Sequence, residues 1–391
     1  MNDATTALPD QPSRLRELAD ECVMCGLCLP HCPTFRLSGL ESRSPRGRIA
    51  LARQLQPGLA VDDSIASALD TCLQCRACEA VCPAQVSYGE IIESARALTA
   101  PTPGLSSRWL SLGLARPRWL ARALGVGGAM ARLWPALTRR LGRRARWLLR
   151  ARMPIAARSA TAQTVLFAGC VAQSFEREAQ EAVLRVAQAA SAPIALVAGQ
   201  VCCGALPRHR GDRASADALA SRNQRIWSQA RTQAIVALDS GCMAGLKQAS
   251  AGIAVVEACR WLLDQPATAG LRLRPKAQRI GWYAPCTHRN VLGDAAASAA
   301  ILALLPGADV QPVSAGLGCC GAAGPHLLAH PDTADALAEP IIDAILAMKL
   351  DALVTTNVGC ALHLSERLLA RGLNIPVRHP VACLADQLEM D

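Results

Sequence analysis

The strongest constraint on this chain is a run of four cysteines that occurs twice with the same spacing. The first run reads Cys22-Val-Met-Cys25-Gly-Leu-Cys28-Leu-Pro-His-Cys32-Pro33. The second reads Cys72-Leu-Gln-Cys75-Arg-Ala-Cys78-Glu-Ala-Val-Cys82-Pro83. Three thiols at every third position, then a fourth thiol and a proline, form the ligand pattern that holds [4Fe–4S] clusters. The two runs therefore predict two [4Fe–4S] clusters.

The spacing also suggests how the ligands are shared. In two-cluster ferredoxins the fourth cysteine of each run ligates the cluster held by the other run. Such clusters move single electrons and make no substrate bonds, so we assign no catalytic residue to this chain. The predicted ligands are Cys22, Cys25, Cys28 and Cys82 for one cluster, and Cys72, Cys75, Cys78 and Cys32 for the other.

The residues between and around the two runs favour helices. Ser44 followed by Pro45 is typical of a helix start, with the hydroxyl as N-cap and the proline at the first helical position. Ser87 and Glu90 have the spacing of a capping box. We therefore expect residues 1–100 to form an α-helical di-cluster ferredoxin domain.

Residues 101–160 differ in composition from the rest of the chain. From Ser94 to Phe175 the sequence has fourteen Arg but no Lys, Asp or Glu, although the whole chain has a net charge of +10. One interpretation is a basic, Arg- and Trp-rich helical linker that contacts solvent or a partner protein. Another is an amphipathic element at an anionic lipid surface. No nucleic-acid-reading motif accompanies the arginines, so we expect no nucleic acid partner.

The remaining residues contain an internal duplication. The segment Thr164–Cys170 corresponds to Arg279–Cys286, and Cys-Cys-Gly at 202–204 corresponds to the same triplet at 319–321. Each copy alternates apolar strands with helices, which predicts a parallel sheet covered by helices. We expect residues 161–275 and 276–391 to form a pair of α/β, Rossmann-like Cys-Cys-Gly domains within a multidomain chain.

Each copy places four cysteines just after its predicted strands, where open α/β sheets bind ligands. Adjacent thiols suit a metal cluster better than a single zinc ion, so one or two further iron–sulfur clusters are expected; zinc and plain buried thiols remain alternatives. His288 and His363 are candidate extra ligands, His209, His326 and His330 are candidate neighbours, and Cys259 and Cys383 are expected in the core. The two predicted sets are Cys170, Cys202, Cys203 and Cys242, and Cys286, Cys319, Cys320 and Cys360.

The cysteine usage also bears on location. Disulfide scaffolds are typically short secreted chains, whereas clustered cysteines in a long chain favour metal binding or redox chemistry. Met1 to Arg14 contains no apolar core of a secretory signal, and the long uncharged stretches are broken by Pro, Gly and Cys. We expect a cytoplasmic protein without a transmembrane helix, with peripheral contact at the inner membrane as an option.

Together these motifs resemble the iron–sulfur subunit of glycolate oxidase, in the larger group that shares duplicated Cys-Cys-Gly domains with heterodisulfide reductases. The resemblance covers nearly the whole chain. It is carried by the two cysteine runs, the two Cys-Cys-Gly triplets and three further segments: Ser44-Pro-Arg-Gly-Arg48, His330-Pro-Asp332 and Thr356-Asn-Val-Gly-Cys-Ala-Leu-His363.

The resemblance implies an electron-transfer subunit, inactive alone, of an enzyme that oxidises the CH–OH group of glycolate or D-lactate. FAD-binding partner subunits would take the hydride, and this chain would pass electrons toward a quinone-type acceptor. We find no convincing G-x-G-x-x-G strand–turn–helix fingerprint or other flavin-binding signal, so FAD is expected on a partner only. The alternatives are the equivalent subunit of anaerobic glycerol-3-phosphate dehydrogenase and a heterodisulfide-reductase-like enzyme.

Overall fold

The N-terminal region of the protein is helical, as the sequence predicts. A computed structural model describes residues 11–56, 58, 60–99, 113–134, 147, 149–157, 159 and 161–389. The first cysteine run lies between α1 and α2, and the second follows α4 and includes α5. The helices of this region are α1 (Gln11–Asp20), α2 (Pro33–Ser38), α3 (Pro45–Arg53), α4 (Asp63–Asp70), α5 (Ala77–Ala80) and α6 (Tyr88–Thr99).

Helix α3 begins where its sequence predicts. The Ser44 hydroxyl accepts a hydrogen bond from the Gly47 amide at 2.9 Å, and Pro45 occupies the first turn. Buried apolar residues of α1, α3, α4 and α6, together with Cys72 and Cys78, form the core of this region. The cysteine runs are thus held in place by the packed helices of this core.

Within the Arg-rich segment, the structure describes one long helix, α7 (Pro117–Leu133). Residues 100–112 and 135–146, which carry part of the predicted linker, lie outside the described residues. Among the described residues, no helix is long and apolar enough to cross a bilayer.

The first Cys-Cys-Gly unit is built on a parallel sheet of three strands in the order β1-β2-β3. The stretch before Cys202 forms no full strand. It makes two isolated parallel bridges, Val165 to Ala195 and Ser159 to Val197. The strands are β1 (Thr164–Phe167), β2 (Ala234–Ala237) and β3 (Ala254–Glu257), and the helices are α8 (Ala172–Phe175), α9 (Arg177–Ala189), α10 (Ala205–His209), α11 (Arg213–Gln229), α12 (Met243–Ala249) and α13 (Ala258–Leu263).

The second unit repeats this plan with a parallel sheet in the order β5-β4-β6-β7. The turn after β4 is a π-helix at Thr287–Leu292, directly after Cys286. The strands are β4 (Gln278–Trp282), β5 (Ala308–Pro312), β6 (Ala352–Val354) and β7 (Val377–Arg378), and the helices are α14 (Ala295–Ala303), α15 (His326–Ala329), α16 (Pro331–Met348), α17 (Val358–Ala370) and α18 (Pro380–Gln387).

The two units share one hydrophobic core. The C-terminal helix α18 packs against α9 of the first unit as well as α14 of the second. Leu166 and Val236 from the first sheet lie in the same buried cluster as Ile280 and Val354 from the second. The multidomain arrangement of a helical region followed by two parallel-sheet units is therefore confirmed.

Candidate functional site

The two cysteine runs adopt the same backbone conformation. Met24 and Gln74, the third residues of the two runs, both have left-handed φ angles, 59° and 48°. Two residues further on, Gly26 and Arg76 are left-handed as well, with φ of 84° and 55°. Backbone turned in this way directs successive amides into one concavity that suits an anionic group. The repeated conformation fits a repeated ligand.

Two cavities meet these loops, and each takes cysteines from both runs. The first cavity is lined by the first three cysteines of run one and by the last cysteine of run two; Cys78 lines this cavity as well as the second. The second is lined by Cys32 and the first three cysteines of run two. Four thiols of mixed origin around one cavity are the donor set that a [4Fe–4S] cluster requires.

The two cavities differ in exposure. Cys25 is exposed, and its neighbours Val23 and Leu27 project into solvent. All four cysteines that line the second cavity are buried. The first cavity is therefore the one that a partner protein can approach closely.

A buried arginine connects the two helices that support the second cavity. Arg48 is fully buried; its guanidinium donates to the Thr34 hydroxyl at 3.0 Å and to the Thr71 hydroxyl at 3.2 Å. It also lies 4.0 Å from the Cys32 sulfur, while the Tyr88 hydroxyl lies 3.6 Å from the Cys72 sulfur. These two side chains supply positive charge and a hydrogen bond at the thiolates, which are the features that tune such sites.

The Cys-Cys-Gly cysteines also come together, one set in each unit. In the first set, the Cys170 and Cys202 sulfurs lie 3.5 Å apart. In the second, Cys286 and Cys319 are 3.9 Å apart, and Cys320 and Cys360 are 2.9 Å apart. All eight thiols are buried. In each copy, cysteines from separate loops therefore lie side by side.

The spacing of these thiols bears on the kind of metal they suit. A tetrahedral zinc ion with bonds of roughly 2.3 Å holds its sulfurs within about 4 Å of one another. Among the described residues, two groups of three ligand atoms lie within 4.8 Å, and neither includes any of the sixteen predicted cysteine ligands. Single pairs of these sulfurs are that close, but no three of them are, and a polynuclear centre accommodates such a set better than one ion does.

An unpaired hydroxyl and the raised thiol pKa values also indicate a metal centre at the second set. The Tyr283 hydroxyl is buried beside the second set and has no hydrogen-bond partner among the described residues. A hydrogen bond with Cys319 and burial raise the pKa of Cys286 well above its ordinary value. Four crowded, buried thiols ionise only when a cation compensates their charge. The second set therefore fits a metal centre.

The first set has a different electrostatic environment. The Cys242 sulfur lies 3.9 Å from a carboxylate oxygen of Asp239, and burial raises the pKa of that carboxyl to about 6. Burial and the nearby Asp239 also raise the pKa of Glu176. In the second copy Asn357 occupies the position of Asp239, and its side chain accepts from the Cys360 amide. The two copies thus have equivalent cysteines, but a carboxyl in the first copy is replaced by an amide in the second.

Several of the candidate histidines make hydrogen bonds, while Nε2 of His288 and of His326 is buried without a partner among the described residues. His288 is bonded to the Thr356 hydroxyl at 2.9 Å, and His363 is bonded to the Ala334 carbonyl at 3.1 Å. His330 is bonded to Asp70 at 2.8 Å, and its ring lies 4.9 Å from that of His326. The His330–Asp70 bond, like the bond from Arg96 to the His209 carbonyl, joins the ferredoxin-type region to the Cys-Cys-Gly units.

Cys259 and Cys383 lie in the shared core, as expected. Cys259 belongs to one of the two compact groups, with Glu257 and His379. His379 is already bonded at both nitrogens, to the Leu238 carbonyl and from the Val381 amide. Because both nitrogens are occupied, this group is a buried structural contact.

The two halves of the molecule meet at cysteines. Cys75, Cys286 and Cys319 lie in one buried apolar cluster with Leu73 and Leu337. Burial raises the pKa of Cys75, and the neighbouring Cys286 raises it further. Asn290, on the π-helix, donates to the Cys75 carbonyl at 2.8 Å. No sequence pattern marks this contact, because its residues are separated by more than two hundred positions.

Comparison with known proteins agrees with a two-cluster region followed by two Cys-Cys-Gly units. Residues 18–86 match a 4Fe-4S dicluster domain, and residues 164–247 and 280–365 each match a cysteine-rich domain. The glycolate oxidase iron-sulfur subunit of Escherichia coli (strain K12) is 28% identical, over 95% of this chain and 94% of its own. The probable glycolate oxidase iron-sulfur subunit of Bacillus subtilis (strain 168) is 26% identical, over 91% and 90%.

A shorter similarity is found in lactate utilization protein A of Macrococcus caseolyticus, which is 22% identical over 57% of this chain and 96% of its own. The matched domains cover the two cysteine runs and both Cys-Cys-Gly triplets. The chain thus consists of a 4Fe-4S dicluster domain followed by two cysteine-rich domains, and along nearly its whole length it is similar to the glycolate oxidase iron–sulfur subunits.

Proposed function

We propose that this chain is the electron-transfer iron–sulfur subunit of a glycolate or D-lactate oxidase. The observation that carries the proposal is the buried contact of Cys75 with Cys286 and Cys319. It joins a two-cluster domain to a second cysteine-rich centre inside one subunit. The end-to-end similarity to subunits of that name supports the same role.

The ligand sets proposed from the motif fit the cavities that the thiols line. Cys22, Cys25, Cys28 and Cys82 would hold one [4Fe–4S] cluster, and Cys32, Cys72, Cys75 and Cys78 would hold the other. When bound, such clusters accept and release single electrons. Arg48 would offset the negative charge of the second thiolate set, because it is buried against Cys32.

The Cys-Cys-Gly sets would hold one or two further clusters. The second set is the better candidate, since Tyr283 leaves a buried hydroxyl beside it without a partner among the described residues. It is also the set adjacent to the ferredoxin-type domain, through Cys75. The first set lies beside two buried carboxyls, Asp239 and Glu176, and burial raises the pKa of both, which favours their neutral forms next to a thiolate-bound centre.

The oxidation itself would take place on a partner. Oxidising a 2-hydroxy acid to a 2-oxo acid releases two electrons and two protons, which suits FAD on a partner subunit. The exposed loop around Cys25, with Val23 and Leu27 outermost, is the face that such a partner would contact. The acceptor would be of quinone type, with the chain at the cytoplasmic face of the membrane.

Co-purification of the tagged chain under anaerobic conditions tests the proposal. We expect a flavoprotein that glycolate or D-lactate reduces, and more iron than the roughly eight atoms that two cubanes require. The Cys320→Ser variant should lose only the iron above that level, whereas the matched Cys383→Ser variant should lose none.

Different failures have different meanings. A partner flavoprotein reduced only by glycerol 3-phosphate would replace the proposed substrate. An iron content of about eight atoms that Cys320→Ser leaves unchanged would remove the clusters from the Cys-Cys-Gly sites. An iron content near zero in anaerobic protein would overturn the electron-transfer role itself.

A further inference from the structure

Helix α7 carries several of its large apolar side chains on the outside. Trp119, Val126, Met130, Leu133 and Trp134 are all exposed, Trp119 by 73% and Leu133 by 81%. Their separations of seven, four and three residues place them along one face of the helix and its C-cap. A surface helix of a globular protein normally has the opposite arrangement, with its large apolar residues facing the core.

The inward face of α7 is made of small residues, so the helix lies close to the protein. Ala121, Gly125, Gly128 and Ala131 are buried. A Cβ atom at Gly125 would lie 2.7 Å from the sulfur of Met153 and 3.1 Å from its Cα. This close packing fixes which face of α7 points outward.

A second set of contacts holds the end of the helix. The Arg132 guanidinium donates to the Leu149 and Ala151 carbonyls, each at 3.0 Å. The Ser174 hydroxyl donates to the Ala121 carbonyl at 3.5 Å. The helix is therefore attached along its length, and the apolar face cannot be buried by rotating α7 in place.

The charges around this face have one sign. Arg116 and Arg122 are exposed at the N-terminal half of α7, and Arg118 is partly exposed between them. No Asp or Glu occurs between Glu93 and Glu176. The exposed apolar face is thus bordered by cations and has no carboxylate of its own segment to neutralise them.

We propose that α7 binds the surface of an anionic lipid bilayer, with its axis parallel to the membrane. The apolar face would enter the boundary between headgroups and acyl chains, and the arginines would contact lipid phosphates. The tryptophans at the two ends suit the headgroup region, where an apolar ring with a polar N–H is favoured. The 17 residues of α7 give an element of about 25 Å lying in this plane.

The inference names the surface for the membrane contact in the proposed function, but lipid binding does not depend on the substrate or the cluster ligands. Flotation of the full, iron-loaded chain with vesicles is the test. We expect binding to vesicles containing phosphatidylglycerol and little binding to pure phosphatidylcholine. The double variant Met130→Ser/Leu133→Ser should bind at least about tenfold more weakly, and Arg122→Glu should also weaken binding at low salt.

The control is Leu328→Ser, because Leu328 is an exposed leucine on α15, outside this face. It should bind phosphatidylglycerol vesicles like the wild type. Iron content and melting temperature should match the wild type in every variant, because the substituted side chains are exposed.

Three results would overturn the inference. The first is no binding of the wild type to phosphatidylglycerol vesicles at low salt. The second is binding that the double variant leaves unchanged. The third is a wild type that binds no vesicles but loses a partner protein on substitution of Met130 and Leu133, which would assign the face to protein contact. Reduction of the chain by its flavoprotein partner in solution should persist in the double variant, so loss of lipid binding and loss of the proposed function are separable.

Discussion

Arg48 lies outside the predicted ligand pattern, yet its guanidinium is 4.0 Å from the sulfur of one predicted ligand, Cys32. The sequence marks it only as part of Ser44-Pro-Arg-Gly-Arg48, the segment that resembles the glycolate oxidase subunits. In the structure it is a buried cation whose Nε donates to the Ala68 carbonyl at 2.7 Å and whose guanidinium also reaches Thr34 and Thr71. A buried charge needs such partners, and they fix α3 against α4 beside Cys32.

Glu257 is a second buried charge, at the junction of β3 and α13. One of its carboxylate oxygens accepts from the Cys259 and Arg260 amides, and the other has no partner among the described residues. His379 lies 3.9 Å away, but burial lowers its pKa to about 3, so it remains neutral. Burial therefore dominates and raises the pKa of Glu257 to about 7.

This shift predicts a pH dependence of stability. The folded pKa lies above the unfolded value of 4.5, so the stabilising contribution is complete below pH 4.5 and is lost as the pH rises through 7. Glu257→Gln keeps a carbonyl acceptor for both amides and cannot ionise. We expect the wild type to lose up to about 3 kcal/mol of stability from this group between pH 5 and 8, and the variant not to.

Melting temperatures of wild type and Glu257→Gln across that pH range check the prediction. The difference between the two curves isolates Glu257 from the other titrating groups. Glu181→Gln, at an exposed position, should run parallel to the wild type. If the melting temperatures of Glu257→Gln and wild type changed with pH in the same way, the raised pKa of Glu257 would be contradicted.

At the scale of elements, helix α3 depends on a glycine. A Cβ atom at Gly47 would lie 2.0 Å from the Glu41 carbonyl oxygen and 3.1 Å from the Ser44 hydroxyl that caps the helix. Because the nearest atom is backbone, it cannot move aside as a flexible side chain can. The glycine of Pro-Arg-Gly-Arg is required by the close approach of the 3-10 turn at Glu41–Arg43.

Gly47→Ala should therefore disturb the ferredoxin-type domain. We expect a loss of at least about 1–3 kcal/mol of stability from the displaced turn. Because α3 carries Arg48, we also expect lower iron retention during unfolding. Loss of visible absorbance on heating measures both effects. Gly270→Ala, at a position with no atom within 4 Å, is the control, and equal melting of Gly47→Ala and wild type would refute the account.

At the scale of the whole molecule, cysteines from distant parts of the chain share their cavities. Cys82 lies at the cavity of Cys22, Cys25 and Cys28, although it belongs to the other run. Cys82→Ala should therefore change the electron paramagnetic resonance signal of the first centre and leave that of Cys72, Cys75 and Cys78 intact. Cys259→Ala, in the core, should change neither signal. Loss of the second signal instead would refute the shared ligation.

The two cysteine-rich units are equivalent in sequence plan but not in position. Among the described residues, two cysteines of the second set lie in one buried cluster with Cys75, whereas a cysteine of the first set, Cys242, lies 3.9 Å from the Asp239 carboxylate. The duplication predicts two similar sites, because it repeats the strands, helices and cysteines of each copy. Which copy meets the ferredoxin-type domain depends on how the units pack, and no repeat pattern contains that information.

The sequence by itself determined the two cysteine runs, the helical and parallel-sheet regions, and the convergence of three loops in each copy. These features depend on spacing within short segments, which the local backbone converts directly into geometry. The hydrogen-bond partners of the histidines, the burial of Arg48 and the outward apolar face of α7 were decided only by the tertiary structure. Each results from contacts between residues far apart in the chain, where packing and burial determine which groups are neighbours.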